Sequence, residues 1–234
     1  MKRKKNRICQ AQRILVYSLI PISLLVSLIP KGNLELWTNQ FHHPVLDFFF
    51  LYWTNLGDGI LFLWLIPILT LKRLSYGIFM CISALLQGIV ISICKQGLFK
   101  GMPRPIEYLQ GIDFYQVPGL NLHHWNSFPS GHTATAMGIA AGLMIIYYKD
   151  RRLKHAFLLT GLLVAFSRVY LMQHFYIDIL VGSLVGISCT WVARELTLRY
   201  FSKKIFRKSL FKTKPSKTRT RKIKQQITAK RASA

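Results

Sequence analysis

Hydrophobic residues fall into six long runs, at 14–30, 56–71, 76–94, 132–148, 155–171 and 177–192, and charged residues are almost absent from them. A helix needs roughly 17–25 apolar residues to cross the hydrocarbon core of a bilayer, and the runs reach or approach that length. The fourth run is rich in alanine and glycine, which lets membrane helices pack closely. The pattern predicts an all-α, polytopic membrane bundle of about six transmembrane helices.

The composition agrees with a membrane protein and excludes several other classes. Of the 234 residues, 51% are hydrophobic, yet Lys and Arg outnumber Asp and Glu by 32 to 8. So large an apolar fraction excludes an intrinsically disordered basic protein. The four cysteines form no Cys-X-X-Cys pair, so neither a disulfide framework nor a structural zinc site is indicated.

The basic residues are concentrated at the two ends of the chain and in two short loops. We expect a basic N-terminus at 1–13, a six-span domain at 14–200 whose core motifs lie at 95–178, and a basic, disordered tail at 201–234. If the N-terminus is cytoplasmic, 27 of the 32 Lys and Arg residues lie on the cytoplasmic side. The positive-inside rule therefore predicts that both termini are cytoplasmic. We interpret the first run as an uncleaved signal anchor, because no Ala-X-Ala site follows it.

The basic tail permits three interpretations. It can be a solvated anchor that fixes the topology, or it can attract anionic lipid headgroups, at about 1 kcal/mol for each Lys or Arg near the surface. Nucleic-acid binding is the least favoured and is not expected, because no aromatic residue that could stack on a base follows Phe211.

Four of the five remaining basic residues lie in two loops that a six-span bundle places on one face. Lys95, Lys100 and Arg104 belong to the long loop at 95–131, and Arg168 precedes the sixth run. Positive charge is disfavoured on this face, so these cations indicate an anionic ligand. The guanidinium group of arginine suits bidentate recognition of phosphate.

The same two loops carry a helix start, two histidines and a carboxylate. Ser130 and Gly131 directly precede a predicted helix, whose free N–H groups can hold an oxyanion, although Ser130 is equally well explained as a helix cap. His174 and Asp178 are four residues apart and would share a helix face, so that the carboxylate orients the imidazole for nucleophilic attack. A buried His–Asp pair at a helix start, and an interfacial role for His132, are the structural alternatives.

These residues resemble the three motifs of the type 2 phosphatidic acid phosphatase superfamily, which also includes the vanadium haloperoxidases. The motif Pro-Ser-Gly-His stands at 129–132, and Ser-Arg, five residues, His, three residues, Asp stands at 167–178. The first motif has six residues between its lysine and Arg-Pro; here eight residues separate Lys95 from Arg104, and three separate Lys100 from it. We assign Lys95 to the motif, because it ends a predicted span. The resemblance covers about residues 47–195.

The resemblance implies a role for each of these residues. His174 would attack phosphorus and form a phosphohistidine, Asp178 would orient it, and His132 would protonate the leaving oxygen and later activate water. The phosphate oxygens would be held by Lys95, Arg104, Ser130, Gly131 and Arg168. No metal ion or other cofactor is expected, because the long loop offers only Glu107 and Asp113 as further acids.

The function expected from this resemblance is hydrolysis of a lipid phosphate at the outer face of a bacterial plasma membrane. The candidate substrates are phosphatidic acid, phosphatidylglycerol phosphate, undecaprenyl pyrophosphate and a lipid A phosphate. A lipid phosphotransferase would carry the same motifs, and a non-catalytic scaffold with a lipid-binding tail is an alternative of another class. A haloperoxidase is disfavoured, because that branch is typically soluble.

Overall fold

The computed structural model describes residues 17–201, which form helices joined by loops and turns. The all-α prediction is therefore confirmed for this range, while the predictions for the basic N-terminus and nearly all of the basic tail fall outside it. In chain order the helices are α1 (Tyr17–Ser27), α2 (Asn33–Asn39), α3 (Pro44–Trp53), α4 (Ile60–Lys72), α5 (Leu74–Ile93), α6 (Pro105–Tyr108), α7 (Gly131–Ile146), α8 (Arg151–Tyr170) and α9 (Tyr176–Tyr200). A 3-10 turn at Thr54–Gly57 precedes α4, and a π-helical turn at Cys94–Leu98 extends α5.

Several of these helices have the length and apolarity of membrane spans. Three qualify alone: α8, α9, and α5 together with its π turn. A fourth candidate is formed by Pro44–Gly57 and Ile60–Lys72, which meet at an angle of 59°. The apolar helices α1 and α7 are shorter. The protein is thus a helical membrane bundle, whereas the count of six spans stays a prediction.

Two predicted helix boundaries are wrong. The run at 56–71 predicts a helix from residue 56, but α4 begins at Ile60, because Asp58 ends the preceding 3-10 turn and its Oδ1 accepts a hydrogen bond from the Ile60 N–H at 2.9 Å. The last run predicts an end at residue 192, but α9 continues to Tyr200. Hydropathy falls at Arg194 and Glu195, whereas the helical backbone does not stop there.

The small-residue helix α7 packs against α5, α8 and α9 in the middle of the bundle. Close approach to α9 requires glycine, since a Cβ added at Gly182 would lie 2.6 Å from the Ser130 carbonyl oxygen. A Cβ at Gly186 would collide with the Ala134 carbonyl group in the same way. This contact brings the start of α7 beside the start of α9, where the predicted site residues lie.

The short helix α2 fixes the start of α9. The carboxylate of Glu35, which is 3% exposed, accepts hydrogen bonds from the Tyr176 N–H at 2.7 Å and the Gly32 N–H at 3.0 Å. The Thr38 hydroxyl adds a hydrogen bond to the Tyr176 hydroxyl at 2.8 Å. The hydrogen-bonding capacity of this buried carboxylate is met by two backbone donors, so α2 holds the first residue of α9 in place.

One lysine contact at each end of the bundle identifies where the predicted site lies. At one end, the Lys31 ammonium lies 4.0 Å from the ring centroid of Phe175, next to the start of α9. At the other end, Lys72 Nζ donates to the Tyr147 hydroxyl at 2.9 Å. The predicted site residues therefore lie at the end opposite the Lys72–Tyr147 contact, as the charge distribution predicts.

Candidate active site

His174 lies in the turn between α8 and α9, and only 1% of its surface is exposed. Its Nδ1 lies 3.2 Å from Asp178 Oδ2, and the same carboxylate oxygen accepts a hydrogen bond from the Phe175 N–H at 3.0 Å. Because His174 precedes α9 while Asp178 belongs to its first turn, the pair forms across the helix start and not along one helix face. With its proton on Nδ1, the imidazole keeps a lone pair on Nε2.

Ser127 joins this pair, although the sequence analysis does not single it out. Its hydroxyl donates a short hydrogen bond to Asp178 Oδ2 and lies 3.4 Å from His174 Nδ1, with the residue 1% exposed. The only signal in the sequence is its position three residues before Ser130, in the loop that leads to α7. The hydroxyl thus ties this loop to the His–Asp pair.

Arg168, in the last turn of α8, is buried with one donor unused. Its Nη1 donates to Thr54 Oγ1 at 2.8 Å and its Nη2 to Gln173 Oε1 at 3.4 Å. Its buried Nε has no hydrogen-bond acceptor among residues 17–201. An unsatisfied buried donor costs about 1–3 kcal/mol, so this N–H favours a ligand that carries an acceptor oxygen.

Arg104, immediately before α6, lies near Arg168 because both contact Gln173. Arg104 Nη1 donates to Gln173 Oε1 at 3.0 Å, and its Nε donates to the Trp125 carbonyl oxygen at 3.0 Å. Burial lowers the pKa of Arg104, but a guanidinium group stays charged throughout the physiological range. Gln173, which the sequence analysis also does not single out, therefore holds two cations together by their shared acceptor.

Lys95 lies in the π-helical turn that extends α5, whereas Lys100 lies beyond this turn and is exposed. Ile91, one turn before Lys95, would lie 3.7 Å from a Cβ added at Gly131, so this end of α5 reaches the start of α7. A π turn accommodates an extra residue, which allows for part of the unusually long spacing between Lys95 and Arg104. The structure thus places Lys95, and not Lys100, beside the predicted site.

The segment 130–132 forms the start of α7. Ser130 is its N-cap, with its hydroxyl accepting hydrogen bonds from the Thr133 hydroxyl at 3.0 Å and the Thr133 N–H at 3.4 Å. Its own N–H donates to the Asp178 carbonyl oxygen at 3.1 Å and is therefore not free. Gly131 and His132 are the first two residues of the helix, where N–H groups have no intrahelical acceptor. Their half-buried position leaves them accessible to a small anion.

Burial and the positive charges around His174 together set its protonation state. Burial is the main cause that lowers the pKa of His174 well below 6.5, and the charges of Arg168, Arg104 and Lys95 follow in that order. The imidazole is therefore neutral at pH 7 and available as a nucleophile. The same cations can stabilise an anion that approaches it, which is the arrangement that phosphoryl transfer requires.

The comparison with protein families agrees with this geometry. The model of the PAP2 superfamily matches residues 76–202, which is more than half of the chain and includes all the site residues described above except Thr54. The chain belongs to the PAP2 superfamily. The resemblance found in the three motifs is thereby confirmed. The candidate membrane spans described above support the assignment to an integral membrane protein.

Solved PAP2 structures share this fold. The crystal structure of LpxE from Aquifex aeolicus is 28% identical, has a TM-score of 0.62, and is matched over 71% of this chain and 96% of that one. A PAP2-type phosphatidylglycerolphosphate phosphatase from Bacillus subtilis is 19% identical, with a TM-score of 0.55, over 86% of this chain and 98% of that one. The second likeness concerns the fold alone.

Curated relatives match over shorter parts of their own length. Dihydrosphingosine 1-phosphate phosphatase C823.11 of Schizosaccharomyces pombe is 24% identical over 177 residues, which are 70% of this chain and 42% of that protein. Undecaprenyl-diphosphatase BcrC of Bacillus subtilis is 37% identical over 59 residues, which are 25% of this chain and 28% of that protein. The chain thus spans less than half the length of these relatives.

Proposed function

We propose that this protein is a membrane lipid phosphatase that hydrolyses a phosphomonoester or pyrophosphate on a lipid through a phosphohistidine at His174. The observation that carries the proposal is the buried Nε of Arg168, a donor without an acceptor within residues 17–201, beside an imidazole that pairs with Asp178. Lys95 and Arg104 complete a cationic surrounding that suits a phosphoryl group. The names of the relatives, which are phosphatases and a diphosphatase of lipid substrates, support the same reaction class.

In the first step, Nε2 of His174 attacks phosphorus opposite the leaving oxygen. A bond from Nε2 to phosphorus forms while the bond from phosphorus to the lipid oxygen breaks, and the electron pair stays on that oxygen. His132, at the start of α7, donates a proton to it as a general acid. Asp178 and Ser127 keep the Nδ1 proton in place, so that the positive charge on the phosphorylated ring is stabilised.

In the second step, His132 acts as a general base. It accepts a proton from a water molecule, whose oxygen attacks the phosphohistidine and releases inorganic phosphate, and neutral His174 is restored. The positive charges of Lys95, Arg104 and Arg168 neutralise the equatorial oxygens in both steps, with the Ser130 hydroxyl and the Gly131 N–H as further donors. Positioning and charge therefore supply the catalysis, and we expect no metal ion to take part.

A substrate embedded in a membrane fits the place of the site at one end of the helical bundle. We propose the outer face of a bacterial plasma membrane, with both termini cytoplasmic, because the loops with most of the basic residues lie at the opposite end. The candidate lipids remain phosphatidic acid, phosphatidylglycerol phosphate, undecaprenyl pyrophosphate and a lipid A phosphate.

Release of inorganic phosphate from each of these lipids by the purified protein in detergent tests the proposal. We expect at least one lipid to be hydrolysed by wild-type protein and by a His155→Ala control, whose histidine is exposed near the start of α8, and none by His174→Ala. Equal activity of His174→Ala and wild type would contradict the mechanism. Transfer of phosphate to a second lipid without release would instead indicate the phosphotransferase.

A further inference from the structure

The loop at 121–127 is held beside Arg104 and Gln173 by hydrogen bonds to its backbone carbonyl groups. Gln173 Nε2 donates to the Asn121 carbonyl oxygen at 3.3 Å. Arg104 donates from its N–H to the His124 carbonyl oxygen at 2.8 Å and from its Nε to the Trp125 carbonyl oxygen at 3.0 Å. The residues that anchor this loop are therefore the same ones that arrange the guanidinium groups.

His123 stands between these anchored residues. Consecutive Cα atoms are about 3.8 Å apart, so the Cα of His123 lies within about 8 Å of those of Asn121 and Trp125, whose carbonyl groups are both fastened to the site. The backbone on either side of His123 is bonded to the site, because the Asn121 and His124 carbonyl oxygens accept hydrogen bonds from Gln173 and Arg104. In agreement with that position, partial burial and then the positive charges of Arg104, Arg168 and Lys95 lower the pKa of His123. Among residues 17–201 its imidazole has no hydrogen-bond or ion-pair partner, and it is exposed.

The neighbouring His124 shows what a merely structural histidine in this loop does. Its Nδ1 pairs with Glu107 Oε2 at 2.9 Å, beside α6. His123, one residue away, has no such carboxylate partner in the part of the chain that the structure describes. An exposed imidazole that has no partner among residues 17–201, on a loop bonded to Arg104 and Gln173, can donate to an anion that also contacts the cations.

We propose that His123 binds the second phosphoryl group of a lipid diphosphate, the one that remains on the lipid when the terminal phosphoryl group is transferred to His174. This inference rests on the proposed function and names the substrate class of the same site. The inner cations, Arg104 and Arg168, are buried and would hold the terminal group, whereas His123 is exposed and would meet the outer one. A lipid monophosphate places no phosphoryl group at that outer position, so His123 discriminates between the two substrate classes.

The test uses a matched pair of substrates, a prenyl diphosphate and the prenyl monophosphate of the same chain length, with the purified full-length protein in detergent. We expect His123→Ala to lower kcat/KM for the diphosphate about tenfold, the loss of one hydrogen bond to a charged group at a partly exposed position. We expect less than a twofold change for the monophosphate. The matched control His124→Ala should leave both values within twofold of wild type.

Inhibition by vanadate provides the check on folding, because vanadate mimics only the group that His174 attacks. We expect its inhibition constant to stay within twofold in His123→Ala. If this variant is not recovered as a monodisperse protein, His123→Phe, which keeps a ring, carries the same expectations. Equal losses on both substrates, no loss on the diphosphate, or weaker vanadate inhibition would each overturn the role of His123.

The failure of this inference is distinguishable from the failure of the proposed function. Wild-type protein that hydrolyses the monophosphate but not the diphosphate would overturn the diphosphate site and leave the phosphatase intact. Wild-type protein that hydrolyses neither these substrates nor any other lipid phosphate would overturn both.

Discussion

Replacing Ser127 with alanine removes one hydroxyl group from the buried network behind His174, the proposed nucleophile. The Asp178 carboxylate would then keep two of its three donors, the His174 ring at 3.2 Å and the Phe175 N–H at 3.0 Å. A hydrogen bond to a charged group contributes about 1.5–3 kcal/mol, and this one is short and fully buried. The substitution therefore weakens the group proposed to orient the nucleophile and leaves the cations proposed to bind phosphate unchanged.

The expected effect is on kcat and not on KM. If the full contribution is lost from the transition state, 1.5–3 kcal/mol corresponds to about a 10- to 160-fold lower kcat. KM should change less than about threefold, because the Ser127 hydroxyl forms no hydrogen bond with Lys95, Arg104 or Arg168. Steady-state phosphate release from detergent-solubilised lipid phosphate measures both constants.

Ser183→Ala provides a matched control. The Ser183 hydroxyl is also buried, but it donates to the Ile179 carbonyl oxygen at 2.7 Å within α9 and forms no hydrogen bond with a site residue. Its kcat should stay within twofold of wild type. A Ser127→Ala enzyme with unchanged kcat, or the same loss of kcat in the Ser183→Ala control, would refute the positioning role of Ser127.

Three further predictions concern protonation, metal ions and orientation. The pKa of His174 is lowered in the folded state, so as pH falls its imidazole is protonated in the unfolded chain before it is protonated in the folded one. Acidification from pH 7 to 5.5 should therefore lower the free energy of unfolding of the wild type by about 1 kcal/mol more than that of His174→Gln. Equal losses in denaturant unfolding would contradict this. Phosphatase activity should survive dialysis against EDTA, and a loss of activity that magnesium restores would show that a metal ion is required. In a cysteine-free background, a cysteine at position 113 should be labelled by a membrane-impermeant reagent from outside intact cells and one at position 216 should not, and the reverse result would invert the topology.

The membrane bundle could be predicted from the sequence wherever hydropathy alone determines the structure. The runs that became α5, α7 and α8 were found to within four residues at either end. The helix α2 could not be found in this way, because it is short and its Glu35 is polar yet buried. The carboxylate is stabilised there by the Tyr176 N–H, a partner 141 residues away in the chain, and no local pattern reports such a contact.

Some residues of the candidate site could also be predicted from the sequence, and others could not. Arg168, His174 and Asp178 could be predicted because their types and spacing form a motif within a single segment. Ser127 and Thr54 could not, because the fold brings them to the site from 51 and 114 residues away. Their chemistry is that of any buried serine or threonine, so only the three-dimensional structure distinguishes them from structural hydroxyl groups.

The central claim is that His174 carries the phosphoryl group between the lipid and water. The most direct measurement is the capture of this intermediate in purified His132→Ala, which lacks the group proposed to activate water. The variant is mixed with an aryl phosphate labelled in its phosphoryl group and is then digested for mass spectrometry. We predict an acid-labile phosphate on His174, formed at a lower level in wild type, where water removes it, and absent from the His174→Ala, His132→Ala double variant. A phosphate on another residue, or label that persists in the double variant, would contradict the account.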